Sequence, residues 1–182
     1  MHLFEKTIES EVKYDGRILT VCSDTVELEN GSTAYRDVIR HSGGVCVVPI
    51  TDNNEVLMVR QFRYPFGAVL LEIPAGKLNE CEDHYECGLR ELEEETGCTC
   101  TSYQYLGCLY PTPAYCSEIT HMYLATGLSD GKQHLDEDEF LEVEKIPLDK
   151  AIEMVLNNEI PDAKTQLALM KAKAILDKKT TP

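Results

Sequence analysis

The chain is short of positive charge. Its 182 residues include 17 Lys and Arg against 32 Asp and Glu, which gives a formal net charge of −15. Binding to nucleic acid or to anionic membranes requires a surplus of basic side chains, so this composition argues against both kinds of partner. If the substrate is itself an anion, metal ions and a few well-placed arginines have to bring it in.

Long hydrophobic runs are also missing. The longest apolar stretch, residues 43–50, has the length of a buried strand and is far too short for a membrane span. Residues 1–6 have no apolar region of the kind that signal peptides carry. We therefore expect a cytoplasmic protein without a membrane partner.

Paired cysteine motifs are a third absence. The sequence has eight cysteines, but none of them forms a Cys-x-x-Cys pair, so the spacing does not indicate a structural zinc site. Without a secretory signal, the expected state of these cysteines is reduced, with most of the thiols packed in the interior.

The pattern of strands and helices predicts two regions. Alternating residues with hairpin turns at Asp15-Gly16 and Asn30-Gly31 predict three antiparallel strands in residues 1–40. Because three short strands are unstable alone, this region is expected to pack on the main domain or on a second copy of the chain. Residues 41–182 combine mixed strands with helices, which predicts an α/β fold, an α/β/α sandwich with a mixed sheet.

The most informative segment is residues 76–98, where glycines flank a cluster of acids. Glu91, Glu94 and Glu95 have the spacing i, i+3 and i+4, so a helix places their carboxylates on one face. Three like charges are unfavourable together unless a cation neutralises them, which indicates a hard divalent metal, Mg²⁺ or Mn²⁺. The alternative interpretation is a solvated acidic helix. Such a helix has no need of Gly76 and Gly97 at these positions.

This helix is predicted over residues 83–96, and Gly97 ends it. One side of the helix is expected to be buried, and it comprises Tyr85, Leu89, Leu92 and Thr96. The glutamates lie on the other side. Further strands are predicted over residues 99–109, 119–126 and 141–146. Residues 127–138 are expected to form an acidic loop.

Residues 76–98 resemble the Nudix box, Gly-x5-Glu-x7-Arg-Glu-U-x-Glu-Glu-x-Gly-U, in which U is a bulky aliphatic residue. The one departure is Cys98 at the last position, where a cysteine packs as a small hydrophobic residue. Nudix proteins hydrolyse a nucleoside diphosphate linked to another group and use divalent metals. The resemblance implies that the metal is held by the carbonyl of Ala75 and by Glu91, Glu94 and Glu95. It also implies that Arg90 orients a neighbouring glutamate and that Glu82 is an outer partner.

Two flanking segments resemble the ADP-ribose pyrophosphatase subfamily. Residues 110–118 resemble its Ser-Pro-Gly segment with a following glutamate, although Ala114 stands in place of the glycine. This likeness implies that Pro113 and Glu118 bind substrate, with Glu118 at the terminal ribose. Residues 60–65 resemble a second segment, which implies that Arg60 and Arg63 bind substrate and that Arg63 contacts phosphate.

The subfamily also implies a general base and a partner. Its base lies on a loop before the last strand, which makes Glu137 the first candidate here and Glu139 the second, beside the catalytic metal ligand Glu95. Aromatic residues that could stack on the nucleobase are Phe4, Tyr35 and Tyr64. In this subfamily the N-terminal sheet is usually exchanged within a homodimer, so we expect a homodimer and a dimerisation role for residues 1–40.

The implied reaction is hydrolysis of ADP-ribose to AMP and ribose 5-phosphate, with Mg²⁺ or Mn²⁺ as the cofactor. Two alternatives remain open at this point. One is the same chemistry on another nucleoside diphosphate sugar, such as GDP-mannose. The other is a Nudix domain without activity that binds nucleotides as a regulator, which the presence of every glutamate of the box disfavours.

Overall fold

The computed structural model describes residues 3–137 and 139–180. Asp138, which falls within the predicted acidic loop, lies outside the described residues. The chain divides into two compact units. The first consists of Met1–Gly43 and Tyr110–Ile119, and the second of Gly44–Leu109 and Thr120–Pro182. The first unit thus contains a segment from the middle of the sequence in addition to the N-terminal region.

The first unit is an antiparallel sheet of β1 (Lys6–Asp15), β2 (Leu19–Glu27) and β3 (Thr33–His41) in the order β1-β2-β3. The turns lie where the sequence predicts them, and Gly31 adopts a left-handed φ of 78° in the second. The middle segment joins β3, because the amide of Ile39 donates to the carbonyl of Tyr115 at 2.7 Å. Strand β1 is exposed along its whole length.

The described elements of the second unit are, in chain order, β4 (Gly44–Pro49), β5 (Glu55–Arg63), β6 (Ala68–Glu72), β7 (Ala75–Lys77), α1 (His84–Thr96), β8 (Cys98–Leu109), β9 (Thr120–Asp130), β10 (Leu141–Pro147), α2 (Leu148–Leu156) and α3 (Ala163–Thr180). A mixed sheet has the order β7-β4-β9-β8, with β4 and β9 parallel. An antiparallel sheet has the order β10-β5-β6.

Strand β4 is buried on both faces, and each face packs into a separate hydrophobic cluster. Val45 and Val47 pack with Leu92 of α1, whereas Cys46 and Val48 pack in the larger cluster that includes residues of α2 and α3. Alternate residues of a strand point to opposite faces, so β4 separates two layers of helix. The predicted α/β/α sandwich is confirmed.

Helix α1 begins and ends close to the predicted positions. Asp83 caps its first turn by accepting the amide of Tyr85 at 2.8 Å, and Gly97 ends it with a φ of 73°. The prediction of its buried side was partly wrong. Tyr85 is 43% exposed, whereas Glu91 and Glu95 are buried. These glutamates face β7, a short strand that the sequence reading did not predict.

Residues 127–130 were expected to be part of a loop, but they continue β9 to Asp130. They pair with the beginning of β8, where Cys98 lies opposite Asp130 and Cys100 opposite Leu128. The sequence predicts Gly127 as the first residue of that loop. It lies instead within the strand at a φ of 65°, where an added Cβ would lie 2.0 Å from the hydroxyl oxygen of Thr101.

All eight cysteines are free thiols; four of them are buried, namely Cys22, Cys46, Cys87 and Cys98. Across residues 3–137 and 139–180, no helix is long and apolar enough to cross a membrane.

A packing detail between α1 and β8 involves Gly88 and Tyr103. The ring of Tyr103 stacks on Tyr123 with 4.2 Å between centroids, and its hydroxyl is buried with no hydrogen-bond partner among the described residues. A Cβ added at Gly88 would lie 1.9 Å from that hydroxyl oxygen. Gly88 therefore makes the room that the phenol occupies.

We expect Tyr103→Phe to raise the free energy of unfolding by about 1 kcal/mol, because it removes a buried hydroxyl without a partner. Gly88→Ala should lower the free energy of unfolding by about 1–3 kcal/mol through overpacking, and by clearly less when combined with Tyr103→Phe. Urea denaturation of the two single variants and the double variant measures all three values. Equal costs of Gly88→Ala in both backgrounds would contradict this account.

Candidate metal and catalytic site

Arg90 connects the acidic side chains of the box. Its Nε and Nη2 atoms donate to the carboxylate of Glu82 at 2.8 and 3.1 Å. Its Nη1 atom donates to Glu91 at 2.8 Å and to Glu94 at 2.7 Å. One guanidinium group therefore fixes three carboxylates, and bonds of this kind are stronger than neutral hydrogen bonds because both partners are charged.

Glu82 is held as an ion before the helix begins. The hydrogen bond from Arg90, together with that from the amide of Asn79 at 2.8 Å, lowers the pKa of Glu82 to about 2. Glu82 anchors Arg90 from outside the helix, so the guanidinium group stays beside Glu91 and Glu94.

Glu91 and Glu95 lie in a different environment from Glu82. Burial, together with the negative charge of Glu139, raises the pKa of Glu91 to about 7 and that of Glu95 to about 9. Glu95 accepts one hydrogen bond, at 3.1 Å, from the amide of Ala75. The charge of Arg90 at Glu91 and that of Arg63 at Glu95 offset only part of these effects, so neither carboxyl group is fully stabilised as an ion.

Strand β7 brings the backbone against these carboxyl groups. A Cβ added at Gly76 would lie 1.9 Å from a carboxylate oxygen of Glu91. Only glycine leaves space for the carboxylate at this position, and this explains why a glycine precedes the acidic helix. The neighbouring Ala75 reaches Glu95 through its amide.

The donor set fits a hard divalent cation. It offers carboxylate oxygens from Glu91, Glu94 and Glu95 beside the backbone at Ala75, which are the ligands that Mg²⁺ and Mn²⁺ prefer. In residues 3–137 and 139–180, no three His, Cys, Asp or Glu side chains already have the arrangement of a metal centre. Glu91 and Glu94 both contact Arg90 instead.

The loop after β9 is attached to the end of α1. The side-chain amide of Gln133 donates to the carbonyl of Glu95 at 2.6 Å, and the amide of His134 donates to the carbonyl of Glu94 at 3.0 Å. Gly97 allows this approach, because a Cβ there would lie 2.8 Å from the backbone nitrogen of Gln133. The sequence alone carries no signal that would have identified Gln133.

The two loop glutamates differ in their surroundings. Glu139 is half-buried, and its carboxylate accepts a hydrogen bond at 3.2 Å from the side chain of Gln61 on β5. Its negative charge raises the pKa of both Glu91 and Glu95. Glu137 is exposed.

The two arginines of β5 are both engaged in ion pairs. Arg63 donates from Nε and Nη2 to Glu72, with both distances 2.7 Å. Arg60 pairs in the same way with Glu144 of β10, with an Nη2 distance of 3.2 Å. Arg63 also lowers the pKa of Glu95 through its charge.

Three further candidate residues belong to the first compact unit, whereas the metal candidates, both arginines and the loop belong to the second. Pro113 lies in a turn in which the amide of Cys116 donates to the carbonyl of Thr112 at 3.0 Å. Glu118 follows this turn, and Tyr35 on β3 is exposed. The contacts described above for the acidic cluster all lie within the second unit, to which none of these three residues belongs.

Comparison with family models identifies the chain as a Nudix protein. Residues 40–169 match the model of the NUDIX domain. Residues 5–39 match the model of the nucleoside diphosphate sugar hydrolase N-terminal domain. Since the first match spans most of the chain and includes the acidic helix, the chain belongs to the NUDIX domain family.

Individual relatives cover nearly the whole chain. It is 41% identical over 169 residues to the ADP-ribose pyrophosphatase of Bacillus subtilis (strain 168), covering 92% of this chain and 91% of that protein. It is 42% identical over 167 residues to the methanol dehydrogenase activator of Bacillus methanolicus, covering 91% of this chain and 90% of that protein. A crystal structure of an ADP compounds hydrolase matches with a TM-score of 0.85 at 23% identity, covering 97% of this chain and 96% of that one, and supports the fold.

Proposed function

We propose that the chain is a metal-dependent Nudix pyrophosphatase that hydrolyses ADP-ribose, or a related nucleoside diphosphate sugar, to a nucleoside monophosphate and a sugar phosphate. The observation that carries the proposal is the burial of Glu91 and Glu95 beside Gly76 and Ala75 of β7. The positive charges near these two glutamates do not offset the cost of burying their carboxylates as ions. The likeness to the Bacillus subtilis ADP-ribose pyrophosphatase supports ADP-ribose as the substrate.

In this proposal, Mg²⁺ is the cofactor and Mn²⁺ is the alternative. The residues that would hold it are Glu91, Glu94, Glu95 and the carbonyl of Ala75. When bound, the cation supplies charge neutralisation for the pyrophosphate and lowers the pKa of a bound water. Arg90 keeps Glu91 and Glu94 together on one side of the helix, at 2.8 and 2.7 Å.

We assign the task of the general base to the loop, because the glutamates of α1 are assigned to the metal. The hydrogen bond from Gln61 and the electrostatic effect on Glu95 favour Glu139 over Glu137, which was the first candidate from the sequence. Arg63, which lies beside Glu95, is proposed to bind the pyrophosphate, and Arg60 to assist it.

The nucleotide and sugar ends of the substrate are assigned to the first unit. Glu118 and Pro113 are proposed to contact the ribose, and Tyr35 to stack on the nucleobase through its exposed ring.

Replacing Glu118 by Gln should raise KM for ADP-ribose, because it removes the charge assigned to the contact with the ribose. An unchanged KM would reject this assignment.

Two alternatives have support of their own. The GDP-mannose pyrophosphatase of Yersinia enterocolitica is 35% identical over 156 residues, covering 79% of this chain and 81% of that protein, which supports a different sugar nucleotide. The methanol dehydrogenase activator supports an additional effect on another enzyme. Hydrolysis remains the first proposal because each glutamate of the box is present.

Assays of AMP or GMP release from ADP-ribose and GDP-mannose, with Mg²⁺ and with EDTA, test the function directly.

We expect Glu95→Gln to lower kcat by about 10²–10³-fold, because it removes a charged group that the reaction needs. In EDTA, the free energy of unfolding of the Glu95→Gln variant should not be lower than that of the wild type, because the substitution removes a carboxylate that would be buried without a cation. Glu93→Gln, an exposed position on the same helix, is the control. Near-normal activity of Glu95→Gln would reject the metal site.

A comparison of Glu139→Gln with Glu137→Gln tests the base. We expect Glu139→Gln to lower kcat by about 10²-fold or more with little change in KM, as removal of a general base does. Glu137→Gln should have a much smaller effect, because its side chain is exposed. If Glu137→Gln is the more damaging change, the order of the two candidates is reversed.

We further propose a homodimer formed through the first unit, in a cytoplasmic setting. Strand β1 is exposed throughout and carries apolar side chains at Ile8, Val12 and Tyr14. The free thiols suit a reducing compartment, which cell fractionation would check. Sedimentation equilibrium should give twice the mass of 20.5 kDa, and Val12→Glu should shift it toward one chain. A wild-type monomer would contradict the dimer.

A further inference from the structure

A buried ionic cluster joins β5, β6 and α3 within the second unit. At its centre is Glu72, which is 1% exposed. Glu72 accepts two hydrogen bonds of 2.7 Å from Arg63 and a third from the ammonium group of Lys164. Lys164 also contacts the carboxylate of Asp162 at 3.0 Å. Neither Lys164 nor Glu72 has a role in the site described above.

The start of α3 fixes the position of Lys164. The carboxylate of Asp162 accepts the amide of Thr165 at 2.9 Å and its hydroxyl at 2.5 Å. The same hydroxyl oxygen accepts the amide of Ile73 at 3.1 Å. The beginning of α3 is thus attached to the residue that follows Glu72, so Lys164 and Glu72 are held relative to each other by the backbone of both elements.

The carboxylate of Glu72 contacts two cations, Arg63 and Lys164, although one of them is enough to keep it ionised. Burial alone would raise its pKa, but the hydrogen bonds and charges of Arg63 and Lys164 outweigh burial and hold the pKa at about 2. A buried carboxylate needs a partner, and Lys164, whose side chain is 19% exposed, already supplies one. The second cation, Arg63, is 36% exposed and acts on Glu95 through its charge.

We infer that Lys164 and Glu72 are positioning residues that hold the guanidinium group of Arg63 in place for the pyrophosphate of the substrate. The pair with Glu72 engages Nε and Nη2 of Arg63, and Nη1 takes no part in it. Because Lys164 shares Glu72, the carboxylate orients Arg63 without fully cancelling its positive charge. This inference rests on the proposed function, in which Arg63 binds the pyrophosphate.

The test compares Lys164→Met with the wild type in the ADP-ribose assay. Removal of the lysine charge leaves Arg63 neutralised and less well oriented, so KM should rise about tenfold or more while kcat changes little, as expected for a lost charge-assisted contact to bound substrate. Lys150→Met, an exposed lysine on α2, is the matched control and should leave KM unchanged. Lys164→Arg, which restores a cation, should recover part of the loss.

A double-mutant cycle with Arg63→Gln separates positioning from a purely structural role. If Lys164 acts through Arg63, Lys164→Met should add little to the KM of the Arg63→Gln variant. A structural role would instead lower the melting temperature and the fraction of active enzyme equally in both backgrounds, with KM unchanged, and that result overturns the inference.

If Lys164→Met does not fold, the double variant Glu72→Gln/Lys164→Met replaces it, because it removes the buried charge pair together. The same rise in KM is expected, and a normal KM in this variant overturns the inference. A wild-type chain that releases neither AMP nor GMP would reject the proposed function itself. A wild type that is active alongside variants with unchanged KM rejects only the positioning roles.

Discussion

Arg90 is the residue on which the acidic site depends. Its guanidinium group contacts Glu82, Glu91 and Glu94 at distances between 2.7 and 3.1 Å. Without this cation, the negative charges of Glu91 and Glu94 on one face of α1 would repel each other. The contact with Glu82 anchors the group from outside the helix. One arginine therefore fixes the positions of two of the proposed metal ligands, Glu91 and Glu94.

Glu72 and Glu95 show how the surroundings decide the state of a buried carboxyl group. Both are 1% exposed, yet the pKa of Glu72 falls to about 2 while that of Glu95 rises to about 9. Glu72 has Arg63 and Lys164 as partners, whereas Glu95 has a backbone amide and the negative charges of Glu139 and Glu91. The first carboxylate is satisfied by the protein. The second one suits a site whose positive charge comes from a bound cation. Arg63 links Glu72 and Glu95, because it pairs with Glu72 and its charge also acts on Glu95.

Much of the structure around these residues could be predicted from the sequence. The limits of α1 followed from Asp83 and Gly97, and most strands followed from alternation and turn residues. The burial of Glu91 and Glu95 did not follow, because the prediction placed the glutamates on the side of α1 opposite its buried face. Glu91 and Glu95 are buried because β7, only three residues long, covers them with a backbone that has no Cβ at Gly76.

The sequence by itself determined the family, the ionic helix and the set of candidate ligands, because the spacing of the box fixes which side chains share a helix face. Local pattern also determined where the turns and caps lie. Only the tertiary structure decided that Glu139 contacts Gln61, that Gln133 attaches the loop to α1, and that Lys164 reaches Glu72. These contacts join residues 38 to 92 positions apart, and their partners are chosen by packing of the elements rather than by local spacing.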